Sequence, residues 1–376
     1  MRIQPFELER WQSVWENKVE LNIAESGVFP MSAAELLEEP GARERLLALP
    51  LGYPQTNGSE ELRGRIAALY PGARAENVLV TTGGAEANFL AVWALVEPGD
   101  EVVLMQHNYQ QIAGLAEAFG AAVKPWWLRE TAAEKPAGEK ELRWAPDPQE
   151  LAGAVTSRTR LIAVCHPNNP TGSVLAEEQM GAVCAAADRV GAWILADEIY
   201  RGAEMSGQTT PTFWGRYERV LVTAGLSKAY GLPGLRTGWV VGPPAMVEKL
   251  WGYHDYTTID PTMPGERLAS AALEPERREQ ILARTRRIIR ANYPVVAGWV
   301  DRHPQQLSLI PPVAGAIACI RCRADTAQLA QDALSQKSVL LCPGEQFGMD
   351  GYLRIGFGGH TGELIEALGR IESLIH

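Results

Sequence analysis

From about residue 76 onward, short and fully apolar runs alternate with amphipathic stretches. NVLVTT precedes GAEANFLAVWALV, and DEVVLM precedes QQIAGLAEAFG. RLIAVCH lies ahead of EEQMGAVCAAADRVG, AWILADE follows it, and RVLVTAG comes after a polar insert. Continuous apolar strands separated by helical patterns predict an α/β architecture, a mainly parallel sheet with helices on both faces. After about residue 265 the pattern changes. A long charged helix, PERREQILARTRRIIRANYPVVAGWVDRH, leads to short strands and a closing helix, GELIEALGRIESLI. This predicts a smaller α+β domain at 266–376, completed by an N-terminal arm at 1–45, beside a large domain at 46–265. The stretch 130–148, rich in charge, Pro and Gly, reads as a loop.

Composition narrows the class. With 376 residues, 46% hydrophobic and 21% charged, the chain has the make-up of a folded globular protein with a sizeable core. The formal charge of −10 repels phosphate backbones, so no nucleic-acid partner is expected. No apolar run reaches the ~18 residues of a membrane span, and the start, MRIQPFELERWQ, lacks the apolar core of a secretory leader. Five cysteines are few and odd in number, which argues against a disulfide framework and for a reducing, cytoplasmic setting.

In open sheets of this kind ligands bind beyond the carboxyl ends of the strands, so the residues delivered there carry the chemistry. The first strand ends in Thr81-Thr82-Gly83-Gly84-Ala85-Glu86 as a helix begins. That arrangement reads either as an anion site built on free helical N–H groups or as a tight turn capped by Thr82. Asn168-Asn169-Pro170-Thr171-Gly172 follows a second strand, with Asn169 as a side-chain donor toward a cleft or as part of an Asx-type turn. Asp197 leaves a strongly apolar strand ahead of Glu198 and Tyr200, and a carboxylate there needs a cation or hydrogen-bond donors. Ser227-Lys228 ends another strand, with Gly234-Leu235-Arg236-Thr237-Gly238 close behind. A lysine in that position becomes a Schiff-base nucleophile when burial and cationic neighbours lower its proton affinity.

Taken in order, the glycine turn, NNPTG, ADEIY and SKAYGLPGLRTGW resemble the fold type I pyridoxal-phosphate enzymes, specifically the class I/II aminotransferases. The resemblance covers nearly the whole chain and implies a seven-stranded-type sheet, pyridoxal 5'-phosphate as cofactor, and transfer of an amino group from an amino acid to a 2-oxo acid. It implies that Lys228 holds the cofactor as a Schiff base and acts as general base, and that Asp197 pairs with the pyridine nitrogen. Asn169 and Tyr200 would hydrogen-bond the ring oxygen, and Tyr109 would stack on the ring. Gly84, Ala85, Ser227 and Arg236 would hold the phosphate. Tyr53 would reach the phosphate of a partner subunit, which requires a homodimer with shared active sites. Arg354 in GYLRIGFG would bind the substrate carboxylate, while the segment 22–28, with Glu25 and Gly27, closes over the substrate. No metal is implied.

The chain departs from the family pattern at three places. Gly225 stands where a Ser or Thr often donates to phosphate, His107 stands where the stacking segment usually begins with Pro, and Glu25 puts a carboxylate at the entrance. The last feature is similar to enzymes acting on arginine derivatives, the capreomycidine synthase-like group. It suggests that Glu25 reads a basic or polar substrate side chain, unless it is merely a solvent-facing acid. The same bound amino acid could alternatively undergo elimination, cyclisation or oxidation on this scaffold. Cys319 and Cys322 read as two residues on one face of a half-buried strand rather than a metal pair, His166 and His360 as lone imidazoles, and Trp126-Trp127 as core or entrance.

Overall fold

The protein is described by a computed structural model covering residues 2–134 and 140–375. Eight strands form the main sheet: β1 (Val78–Thr81), β2 (Glu101–Gln106), β3 (Ala122–Glu134), β4 (Lys140–Pro146), β5 (Thr159–Cys165), β6 (Trp193–Asp197), β7 (Val220–Gly225) and β8 (Gly238–Val241). Their spatial order is β1-β8-β7-β6-β5-β2-β3-β4. The central run from β7 to β3 is parallel, whereas β8 pairs antiparallel with both β1 and β7, and β4 pairs antiparallel with β3.

The apolar runs are continuous because both faces of the sheet are covered. Along β5, Ile162 and Val164 pack on one face with Val103, Ile194 and Val222. Leu161 and Ala163 pack on the other with Leu104, Leu195 and Leu221. Each Val, Leu or Ile among them, fully buried, contributes about 1.5–3 kcal/mol relative to exposure. The expected loop at 130–148 is instead mostly strand: β3 runs to Glu134, and β4 pairs with it from Lys140 to Pro146. Residues 135–139 of that stretch lie outside the described residues. This pair sits at the sheet's edge with much of its surface in water, so its composition mimics a loop.

A second sheet of four antiparallel strands, β9 (Leu307–Leu309), β10 (Ile317–Cys322), β11 (Cys342–Pro343) and β12 (Tyr352–Gly356), has the order β9-β10-β12-β11. Cys319 and Cys322 lie on opposite faces of β10, not on one. Their separation is odd while the side-chain period of a strand is two, so Cys319 joins the core of the large sheet and Cys322 a separate core. That separate core takes in Leu21, Ile23 and Val28 of the N-terminal arm. Three helices frame the space between the two sheets and their cores. Helix α1 (Glu7–Trp15) is in the arm, α2 (Gly83–Leu95) follows β1, and α3 (Pro275–Asp301) is the long charged helix. Helix α3 places Ile281 and Leu282 in the first core and Ile289, Val296 and Trp299 in the second. Among the described residues no helix is long and apolar enough to cross a membrane.

Candidate active site

A cavity of about 270 Å³ opens at the carboxyl ends of β1, β5, β6 and β7, walled on the far side by α1 and β12. Each strand that the sequence singles out delivers its residue there. Gly84, Ala85, Tyr109, Asn169, Asp197, Tyr200, Ser227, Lys228, Arg236 and Arg354 all line it.

The β1–α2 turn is built by close backbone approach. Gly83 has φ +81°, and a Cβ on it would fall 2.6 Å from the Arg236 guanidinium. A Cβ on Gly238 would fall 2.3 Å from the Gly83 carbonyl carbon. No side chain fits at Gly238, and the left-handed backbone of Gly83 strains any other residue there. The first turn of α2 thereby presents Gly84 and Ala85 beside Ser227 and Arg236, an arrangement of helical N–H groups and a guanidinium that can hold an anion. Thr82 does not cap α2 with its side chain. The carboxylate of Glu86 instead accepts from the Thr82 N–H (2.6 Å), from Thr258 Oγ1 (2.9 Å) and from the Thr257 hydroxyl. Gly225 also has a packing reason: a Cβ there would meet Thr237 O at 2.9 Å, so a serine does not fit between β7 and β8.

The paired asparagines divide into turn and cleft. Asn168 holds its own loop, accepting from the Thr171 hydroxyl at 2.7 Å and donating to His107 O at 2.9 Å. Asn169 faces the cavity, where its Oδ1 accepts from Arg354 Nη1 at 3.2 Å. Arg354 is buried under the ceiling of the site. Its Nη2 also donates to Ala24 O and contacts Cys342 Sγ at 3.1 Å, while its Nε has no partner. No carboxylate pairs with it among the described residues.

Asp197 is buried, and burial raises its pKa. Asn88 Nδ2 (2.9 Å) and the Ile199 N–H (3.1 Å) oppose that shift by donating to the carboxylate. Both donors are neutral. Lys228 Nζ donates to Glu25 Oε1 at 2.8 Å. Burial alone would depress the lysine, but the charge of Glu25, helped by Tyr200, outweighs it and holds Lys228 above its ordinary value. Reciprocally, the Lys228 charge lowers Glu25 to about 2. Glu25 also accepts from the N–H groups of Ser26 (2.8 Å) and Gly27 (2.9 Å), which folds the entrance segment around it. Tyr200 donates to Ser26 Oγ at 2.9 Å, and burial raises its phenol to about 12.

Other expectations resolve locally. His107 contacts Phe347 O through Nδ1 at 3.0 Å, and burial lowers its pKa. His166 accepts from the Leu175 N–H at 3.0 Å and lies 3.2 Å from Pro211 O, while His360 stacks on Phe29, so neither is a lone imidazole. Trp126 is buried and donates to Asp147 O, whereas Trp127 lines a separate groove. Tyr53 is 85% exposed and lies outside the cavity.

The residues that α1 and the interior of α2 bring to the site carry no signal in the sequence. From α1, Leu8, Glu9 and Gln12 line the cavity, Tyr109 donates to Glu9 at 2.8 Å, and Phe6 packs 4.7 Å from the Tyr109 ring. From α2 comes Asn88.

Residues 50–371 match the family model for aminotransferase class I and II. The chain is 32% identical over 370 residues to a capreomycidine synthase of Streptomyces vinaceus, covering 97% of this chain and 92% of that protein. A crystal structure of a PLP-dependent aminotransferase from Streptococcus suis superposes with a TM-score of 0.90 at 30% identity, over 100% of this chain and 99% of that one. A PLP-dependent cyclase, OrfR, superposes with a TM-score of 0.88 at 28% identity, over 100% and 98%.

Proposed function

Because the chain belongs to the aminotransferase class I and II family, we propose that the residues around this cavity divide the work of holding pyridoxal phosphate and an amino acid. The enzyme is a pyridoxal-phosphate-dependent aminotransferase, passing an amino group from an amino acid to a 2-oxo acid. The residues present fit the cofactor. A buried carboxylate, Asp197, faces the cavity with only neutral donors around it, which suits a protonated pyridine nitrogen. The helix terminus with Arg236 suits a phosphate. Bound there, the cofactor supplies an exchangeable aldehyde carbon and an electron-withdrawing ring.

The chain's own groups do the rest. Lys228 would hold the cofactor's aldehyde carbon, and its amine is the group that would move the proton at the substrate Cα. Asp197 keeps the ring nitrogen protonated. Asn169 and Tyr200 donate to the ring oxygen, Tyr109 covers the ring face, and Gly84, Ala85, Ser227 and Arg236 bind the phosphate. Arg354, whose buried Nε lacks a partner, takes the substrate carboxylate. Glu25 and Gly27 form the segment over the substrate. Glu25 pairs with Lys228, and its carboxylate would be available to a basic substrate side chain if the lysine held the cofactor instead. The working unit is a homodimer in the cytoplasm, with an arm and cap (1–45 and 266–376) over a cofactor-holding body (46–265). Leu51, Tyr53 and Tyr256 are each more than four-fifths exposed, which supports burial against a second copy and delivery of the partner's Tyr53 to the phosphate.

The observation that carries this reading is the convergence of Asp197, Lys228 and Arg354 on one cavity. The test is a half-reaction. Amino donors should convert the bound cofactor to its amine form, and pyruvate or 2-oxoglutarate should restore the starting spectrum. A second reading, elimination, cyclisation or oxidation of an arginine-like substrate, is supported by likeness to two relatives, the capreomycidine synthase and the cyclase. Turnover of such a substrate with the cofactor returned unchanged and no need for a 2-oxo acid would establish it instead.

A further inference from the structure

Asp197 does not stand alone. In the parallel ladder of β6 and β7 its Cα partner is Thr223. The Thr223 hydroxyl donates to Asn88 Oδ1 at 2.6 Å, and Asn88 Nδ2 donates to Asp197 Oδ2 at 2.9 Å. All three side chains are buried, with Thr223 at 1%, Asn88 at 3% and Asp197 at 9% exposure.

The chain of donors has a direction. A primary amide presents donors at one end and an acceptor at the other, and turning it over exchanges them. With its nitrogen toward Asp197, Asn88 leaves its oxygen needing a donor, and Thr223 supplies it. Turned over, the amide would set its oxygen against the carboxylate and its N–H groups against the hydroxyl. The network as built accepts an ionised Asp197 and opposes a protonated one, whose O–H would face N–H groups. An ionised carboxylate is the form that pairs with a protonated ring nitrogen.

We infer that Asn88 and Thr223 are positioning residues for the cofactor's ring nitrogen, acting through Asp197. Asn88 favours the charged form of the carboxylate, and Thr223 fixes the orientation of Asn88. The inference rests on the proposed pairing of Asp197 with that nitrogen.

The test separates the two claims. Full-length protein stripped of cofactor is titrated with pyridoxal phosphate and with its 1-deaza analogue, which carries C–H in place of the ring nitrogen. The measured quantity is the preference, the ratio of the two dissociation constants. A general packing defect weakens both ligands and leaves that ratio alone. Asp197→Ala should collapse the preference toward unity. Asn88→Ala should reduce it roughly tenfold or more, the scale of a hydrogen bond to a charged group. Thr223→Val should reduce it by about threefold, within the range of a single neutral hydrogen bond, and Thr223→Ser should restore it. Thr223→Val is nearly isosteric and carries the test if Asn88→Ala does not fold. An unchanged preference in the Asn88 and Thr223 variants, with collapse in Asp197→Ala, overturns the inference alone. An unchanged preference in Asp197→Ala overturns the pairing itself, and the inference with it.

Discussion

Two buried carboxylates sit at opposite ends of the same sheet. Glu101 opens β2 at the amino end and is 1% exposed, with Lys124 and Arg158 each 2.6 Å away and the Thr156 hydroxyl at 2.5 Å. Asp197 closes β6 at the carboxyl end and, among the described residues, has two neutral donors and no cation. Both are costly to bury. Glu101 is compensated within the chain, so its role is complete when the protein folds. Among the described residues neither a cation beside Asp197 nor a carboxylate paired with Arg354 is found, the imbalance that the proposed cofactor and substrate would complete. Charge left unbalanced by the fold marks the binding site more sharply than burial does.

The contrast breaks most severely at Asp197. Asp197→Asn should lower transamination turnover by about two to three orders of magnitude, the scale of removing a preorganised electrostatic partner, with little change in the unfolding midpoint of cofactor-free protein. A loss of folding stability with activity spared would erase the distinction. Next comes Arg354→Gln, which should reduce kcat/KM for amino donors roughly a hundredfold. Cofactor affinity should stay within a few-fold, as read by equilibrium titration. Glu101→Gln should show the converse, a stability loss of about 1–3 kcal/mol in urea unfolding with steady-state kinetics close to wild type.

The smallest effect is a pH dependence. Glu25 is held near 2 by Lys228, below the 4.5 of an unperturbed glutamate. A carboxylate lowered on folding contributes stability that is fully present above the unfolded value and disappears as pH falls from there through about 2. Cofactor-free protein should therefore lose some stability across that window. Glu25→Gln should flatten the loss, a comparison made by denaturant unfolding at stepped pH.

The residues legible in the sequence were those at chain punctuation. Asp197, Lys228 and Asn169 each follow an apolar run, and Arg354 stands in a glycine-flanked strand, so position announces role. Asn88 gave no such sign. It lies inside α2, a helix apolar on nearly all sides, and its partner is 109 residues away. A polar residue inside such a helix looks like an interruption of the pattern until the tertiary contact is seen. Helix α1 was obscure for a related reason: Glu9 and Gln12 are ordinary surface residues in sequence, and the cavity they face is made by other segments. Gly225 has a reason that only the fold shows, because a Cβ there would meet the Thr237 carbonyl oxygen across β7 and β8.

Helix α3 has a consequence for how the molecule comes apart. It contributes Ile281 and Leu282 to one core and Ile289, Val296 and Trp299 to the other, along 27 unbroken residues. Neither core can melt without stripping apolar surface from a helix that the other still needs. The part bearing Arg354 and the part bearing Lys228 should therefore lose structure in one cooperative step, with a single heat-absorption peak in calorimetry despite the two separate interiors.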